Sequence, residues 1–246
     1  CAEVRQLLLN ILDHQRREKQ KGKVIDVSER ALVEGYSTVM LRSGALGGKG
    51  RGVAFINTLL NYFDFSDYIS GIKIKLPRTV IIGNDEFSDF IQQNDLFFAY
   101  QEKDFERTKQ RFAQAALSTE LRQRLAIYLK HIKNPLAIRS SGLFEDSLMQ
   151  PFAGIFSTYL LPNNHHEPEK RLEQLMLAVK MVFASLFSGL AKGFIEAVNY
   201  KVDDERMAVV IQELVGKKYG RYFYPHISGV AQSYNFYAHG YIQPGD

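Results

Sequence analysis

PLAIRSSGLFEDSLMQPFAGIFST, residues 135–158, places an arginine and two serines at the end of an apolar run, followed by an acidic pair and a compact glycine turn. Pro135, Leu136, Ala137 and Ile138 read as a buried strand bounded by Asn134. Arg139 follows where a planar fork of donors can hold phosphate oxygens bidentately, and Ser140 and Ser141 add hydroxyl donors. Phe152, Ala153 and Gly154 form a small loop that lets backbone N–H groups approach an anion. This order of residues suits a grip on a polyphosphate.

Four segments in order carry a family resemblance. Residues 135–158 resemble the R-S-S-A-x-x-E-D to F-A-G signature of the nucleotide-binding domain of phosphoenolpyruvate synthase and pyruvate phosphate dikinase. LGGKGRGVAFINTLL (residues 46–60) resembles that family's G-G-K-G/A-x-x-L motif. LPRTVIIGNDEFSDFIQQNDL (residues 76–96) is similar to its L-P-x-G-F-x-(I/V)-T-T segment and the following helix. MAVVIQELV (residues 207–215), preceded by ASLF at 184–187, is similar to its M-A-V-V-V-Q-x-M-V strand. The resemblance implies an α+β, ATP-grasp-like fold of two lobes with ATP in a cleft between them.

The glycine stretch is not a P-loop, because Ser43 stands where the first glycine of G-x-x-x-x-G-K-[ST] belongs and Gly50 follows Lys49. Gly47 and Gly48 still make a flexible turn at a helix start, backed by an apolar face of Val53, Phe55, Ile56, Leu59 and Leu60. A helix start attracts anions through unpaired N–H groups and the macrodipole. Lys49 is therefore a candidate phosphate ligand, and the resemblance sets it on the same nucleotide as Arg139. The strand over Met207–Val215 turns polar at Gln212 and Glu213. By resemblance, Gln212, Glu213, Leu214 and Val215 form the adenine hinge, with Glu213 as a partner for the ribose or the amine.

With 246 residues, 46% apolar and 12% aromatic, the chain can bury a substantial core. No uninterrupted apolar run approaches the ~20 residues of a membrane span, so no membrane partner is expected. A single cysteine, Cys1, excludes an intrachain disulfide and fits a reducing, cytoplasmic setting. The net charge is +4, but the basic clusters at Arg16–Lys23 and Arg107–Lys133 read as solvated helix faces. Neither interleaves aromatics for base stacking, which argues against nucleic acid.

Periodicity predicts a lead-in helix over Glu3–Lys21, strands over Tyr36–Leu41, Thr79–Ile82 and Ile155–Leu161, and helices over Asp85–Asn94, Asp104–Ala116, Thr119–His131 and 169–187. Tyr219–Tyr241 alternates aromatic and polar residues, as paired strands do. The chain divides into residues 1–34 (lead-in and linker), 35–200 (first lobe with both phosphate motifs) and 201–246 (hinge strand and start of a truncated second lobe). Asn163, Asn164, His165 and His166 read as a solvent-exposed polar turn; neighbouring histidines diverge on a strand or helix and no Cys or third histidine lies at ligand spacing, so no metal site is expected. Ser141 lacks a nucleophile elbow. Glu145 and Asp146 read as structural.

Family magnesium ligands are expected beyond Asp246, because GVAQSYNFYAHGYIQPGD (residues 229–246) departs from the usual G-V-x-F-T-x-D-P pattern. None of the six histidines has the T-S-H context of the family's phosphoryl acceptor. The expected protein is thus the ATP-binding part of a dikinase-like phosphotransferase, with ATP and Mg2+ as cofactors. Lys49 and Arg139 are its catalytic cations, and its partners are downstream phosphohistidine and pyruvate-binding domains. Two other readings stay open: a non-catalytic nucleotide-sensing module, and a related dikinase acting on an antibiotic or a glucan.

Overall fold

The computed structural model describes residues 25–26, 38–63, 65, 68, 71–142, 154–197, 199 and 201–231. The helix expected over Glu3–Lys21, the pair Glu145 and Asp146, and the loop residues Phe152 and Ala153 lie outside them. Contacts divide the chain into two units, Cys1–Leu214 and Val215–Asp246.

The first unit is a mixed α+β structure built on a six-stranded sheet. Its strands are β1 (Ile25–Asp26), β2 (Thr38–Arg42), β3 (Thr79–Ile82), β4 (Leu136–Ser141), β5 (Thr158–Leu161) and β6 (Ala208–Glu213), in the order β1-β2-β3-β6-β4-β5. β1, β2 and β3 run parallel, and β6 is antiparallel to both β3 and β4, as β5 is to β4. Parallel strands need long crossovers, and helices supply them. These are α1 (Gly47–Tyr62), α2 (Asp85–Gln93), α3 (Phe105–Gln114), α4 (Thr119–His131), α5 (Pro168–Ser185) and α6 (Gly189–Ala197). Local chemistry sets several of their starts. Asp104 accepts from the N–H groups of Glu106 and Arg107, Ser118 accepts from Leu121 N–H, and Pro168 opens α5.

β6 sits between β3 and β4, pairing Gln212 with both Thr79 and Ala137. β6, which the sequence division groups with residues 201–246, lies within the six-stranded sheet of the first unit. The apolar run of β6 is what a strand with neighbours on both edges requires.

Side chains alternate across the sheet. Val39, Leu41, Val80, Ile82, Leu136, Ile138, Val209 and Ile211 join one buried cluster with Phe87, Phe90, Phe112, Leu125, Leu175 and Phe183 from the helices. Phe87 meets Phe183 edge-on at 5.2 Å, and Phe90 meets Phe112 at 5.5 Å. Each such ring contributes roughly 1.5–3 kcal/mol through burial. A register shift between Met40 and Arg42 at the end of β2 accompanies an arginine aimed at α2 and α4. There Arg42 bonds Glu86 (2.8 Å), Asp89 (2.7 Å) and Glu120, and the fully buried Glu86 also accepts from Ser118 N–H at 2.9 Å.

α1 packs on the opposite face, against β2, β4 and β6. Its orientation corrects the sequence reading. Phe55 is 67% exposed and Ile56 43%, while Gly47, Gly50 and Asn57 are the residues it buries. The helix approaches the sheet along its side-chain-poor edge, which leaves Phe55 and Ile56 outside, while Val53, Leu59 and Leu60 are half-buried.

Residues 168–197 contain an 18-residue window of mean hydropathy 1.6, enough by length and composition for a membrane span. The segment is divided between α5 and α6, and 56% of the window is buried inside the protein. It serves as core.

The second unit contains a hairpin of β7 (Lys217–Tyr219) and β8 (Tyr222–Tyr224), closed by Gly220 at φ +60° and Arg221. Only this part of the paired strands expected over Tyr219–Tyr241 is described, together with the residues to 231.

Three buried side-chain atoms lack a hydrogen-bond partner among the described residues: Thr38 Oγ1, His131 Nε2 and the Tyr128 hydroxyl. The Tyr128 hydroxyl lies beside a cavity of about 10 Å³ lined by Arg78, Thr79 and His131. Burial, then the nearby Glu213, pushes its pKa up, with Arg78 opposing. Tyr128→Phe removes an unsatisfied polar group, so it is expected to raise stability by ~1 kcal/mol in thermal or urea denaturation. A loss of similar size would show that the hydroxyl is satisfied by water in that cavity.

Candidate functional site

The end of β4 and the start of α1 are interlocked. Ser141 Oγ donates to Leu46 O at 2.7 Å and accepts from Gly50 N–H at 3.0 Å, and Gly48 N–H donates to Gly142 O at 2.8 Å. Gly47 has φ +69°, and a Cβ there would lie 1.8 Å from Ser141 O. The glycine is therefore required by the approach of strand to helix. Two N–H groups of the first turn are already engaged by β4, so the helix start has less to offer an anion than the sequence suggests. Lys49 lies within this turn, half-buried, one residue from each engaged N–H.

β4 does not end at Ile138 as expected but runs through Ser141, with Arg139 paired to Val210 and Thr158. Two-residue periodicity then sorts the motif. Arg139 and Ser141 share the face that carries α1, whereas Ser140 is buried on the opposite face. Of the two serines that the sequence offers as donors, Ser141 is thus the one that meets the glycine turn, and the strand period is the signal that separates it from Ser140.

Arg139 is half-buried, and its Nη1 donates to Gln212 Oε1 at 3.3 Å. Among the described residues no carboxylate forms an ion pair with it. Other arginines show the contrast. Arg42 has three acidic partners, and Arg171 is saturated by Asn163 Oδ1 (2.8 Å) and the carbonyls of Leu129 (3.0 Å) and Ile132 (2.5 Å).

At the expected hinge, Glu213 N–H donates to Arg78 O at 2.9 Å and Leu214 N–H to Pro135 O at 2.8 Å. Those donors belong to the sheet ladder, leaving carbonyls and side chains of Gln212 to Leu214 to meet an adenine edge. Val215, 68% exposed, opens the second unit. Gly154 has φ +79° and open space where a side chain would project.

The register places Ser141 opposite Ala208 and Ala137 opposite Gln212. Four residues of strand separate the glycine turn from Gln212, about 13 Å. Arg139 lies between them.

His165 and His166 do not diverge as strand neighbours would. In an irregular turn their rings stack at 4.6 Å, and their donor atoms and a Glu167 carboxylate oxygen lie within 4.8 Å of one another. Leu161, near this turn, pairs with Leu136, the end of β4 away from Ser141.

Comparison with known proteins gives the family. The profile of the pyruvate phosphate dikinase AMP/ATP-binding domain matches residues 43–241. An uncharacterized phosphotransferase, YvkC of Bacillus subtilis (strain 168), is 27% identical over 145 residues, covering 58% of this chain and 16% of that protein. This chain therefore spans a small part of that relative's length. The chain belongs to the pyruvate phosphate dikinase AMP/ATP-binding domain family.

Gly47→Ala is expected to destabilise the protein by ~3 kcal/mol or more, because both its positive φ and the contact with Ser141 O resist a side chain. Gly52→Ala, in the same helix with nothing within 4 Å of its added Cβ, should stabilise by ~0.5–1 kcal/mol. Equal thermal shifts for the two variants would refute the packing role of Gly47.

Proposed function

We propose that this chain is the nucleotide-binding part of a phosphoenolpyruvate synthase or pyruvate phosphate dikinase-like phosphotransferase. It binds ATP so that a phosphoryl group passes to a histidine on a separate domain and then to pyruvate. An ATP-grasp-like arrangement belongs to the same proposal. The observation that carries the reading is Arg139: a half-buried guanidinium that donates to a neutral amide, on the sheet face that meets the Gly47–Gly50 turn. A half-buried cation with no carboxylate partner among the described residues favours binding of an anion, and a phosphate chain fits its fork.

In this reading Lys49 and Arg139 stabilise charge on the transferring phosphoryl group, and Ser141 holds the helix that carries Lys49 against the strand that carries Arg139. Phosphoryl transfer depends mainly on such positioning and electrostatics. Glu213 and Leu214, which follow Gln212, lie at the adenine end, more than about 13 Å along the sheet.

Magnesium would shield ATP charge when bound. Among the described residues, Glu205 lies buried with its carboxylate against Gly142, enclosed by the fold. The His165, His166 and Glu167 group is rich in imidazole, whereas magnesium favours oxygen ligands. The described residues thus offer no fitting magnesium set, and no step is assigned to the ion.

In the full-length protein, Arg139→Ala and Lys49→Ala are each expected to lower phosphoenzyme formation from labelled ATP by ~10²- to 10³-fold. Lys133→Ala, at an exposed position after α4, should leave the rate unchanged. Wild-type rates in the Arg139 and Lys49 variants would remove both residues from the site. ATP binding without any phosphoenzyme in the wild type would favour the nucleotide-sensing reading, for which the altered segment at 229–237 is the motive.

A further inference from the structure

We infer that Gln212 and Thr79 are positioning residues that hold Arg139 in place for the nucleotide phosphates. The inference rests on the phosphate role proposed for Arg139 and assigns Gln212 a different task from lining an adenine slot. Thr79 Oγ1 donates to Pro77 O at 2.9 Å, which commits the single hydroxyl proton. The same oxygen can then only accept, and Gln212 Nε2 donates to it at 3.3 Å. The amide orientation follows: Gln212 Oε1 must face the other way, where it accepts from Arg139 Nη1 at 3.3 Å.

Sheet register builds this row. Thr79 and Ala137 flank Gln212 on its two sides, and Arg139 stands two residues beyond Ala137 on the same face. Thr79 is fully buried and fixed by the backbone, so the chain of bonds runs from a rigid carbonyl to a mobile cation. A neutral acceptor is what this position requires. Gln212 orients the guanidinium without cancelling its charge, while a carboxylate there would form an ion pair and compete with phosphate.

The test measures affinity of the full-length protein for ATP and for adenosine, which has no phosphate, in Gln212→Met, Thr79→Val, the double variant, Gln212→Glu and Arg139→Ala. Loss of a supporting hydrogen bond of this kind typically costs ~10-fold or more. Gln212→Met is expected to weaken ATP by about that factor while adenosine affinity stays within ~2-fold. Thr79→Val should give a smaller loss that does not add to that of Gln212→Met, because both remove one chain of bonds. Gln212→Glu should weaken ATP further than Gln212→Met.

Circular dichroism and melting of each variant separate misfolding from mispositioning, since a general loss of structure would lower ATP and adenosine binding together. If Arg139→Ala binds ATP normally, the phosphate role and the relay both fall. If Arg139→Ala loses ATP while Gln212→Met does not, or the Gln212 and Thr79 effects add, the relay alone is overturned.

Discussion

The hydroxyl of Ser141 is the joint on which the candidate site depends. It bonds Leu46 O and Gly50 N–H, 95 and 91 residues earlier in the chain, and so fixes a helix start against a strand end. Both halves of this contact are polar backbone groups that would be costly to bury unpaired. Gly47 makes it possible by having no side chain at 1.8 Å from Ser141 O. In phosphate-binding loops of other folds, glycine admits the ligand to the backbone. Here the strand itself occupies part of that space, so positive charge for a polyphosphate must come chiefly from the side chains of Lys49 and Arg139.

A second constraint comes from β6 lying between β3 and β4. An apolar strand with hydrogen-bonded neighbours on both edges is a rigid rail, and its last residues leave the core side by side with Thr79 and Ala137. The helix-facing side of the sheet is filled by apolar residues and aromatic pairs. The α1 side carries Thr79, Arg139, Ser141 and Gln212 among smaller apolar residues, and bonds among these groups offset their desolvation. The two faces thus divide stability from candidate chemistry.

Much of this was legible in the chain. Thr79–Ile82 and Thr119–His131 have the bounds that periodicity gives them, because four consecutive β-branched residues and a Ser118 cap leave little choice. What could not be read was orientation that depends on partners distant in sequence. The amphipathic rule turned Phe55 and Ile56 inward, yet α1 docks through Gly47, Gly50 and Asn57, because closeness to Ser141 outweighs burial of two large side chains. The strand of the arginine motif was ended at Ile138, since polar residues usually mark an exit. The ladder to β6 continues through Ser141, whose hydroxyl finds two partners across the sheet face. His165 and His166 lie in the polar turn that the sequence gives them, but the stacking of their rings depends on local turn geometry that no periodicity encodes.

The charges around Arg139 separate a structural arginine from one suited to a ligand. Arg42 is surrounded by Glu86, Asp89 and Glu120; burial lowers its pKa, but these acids together outweigh that and raise it. Such an arginine is already neutralised and ties β2 to α2 and α4. Arg171 instead draws on the carbonyls at the end of α4, where the helix dipole supplies partial negative charge, and burial lowers its pKa. Among the described residues Arg139 has neither solution: its Nη1 makes a 3.3 Å contact to a neutral amide. The neutral amide cannot cancel its charge. Of these three arginines in the sheet and its helices, Arg139 is therefore the one whose electrostatic balance an incoming anion would complete.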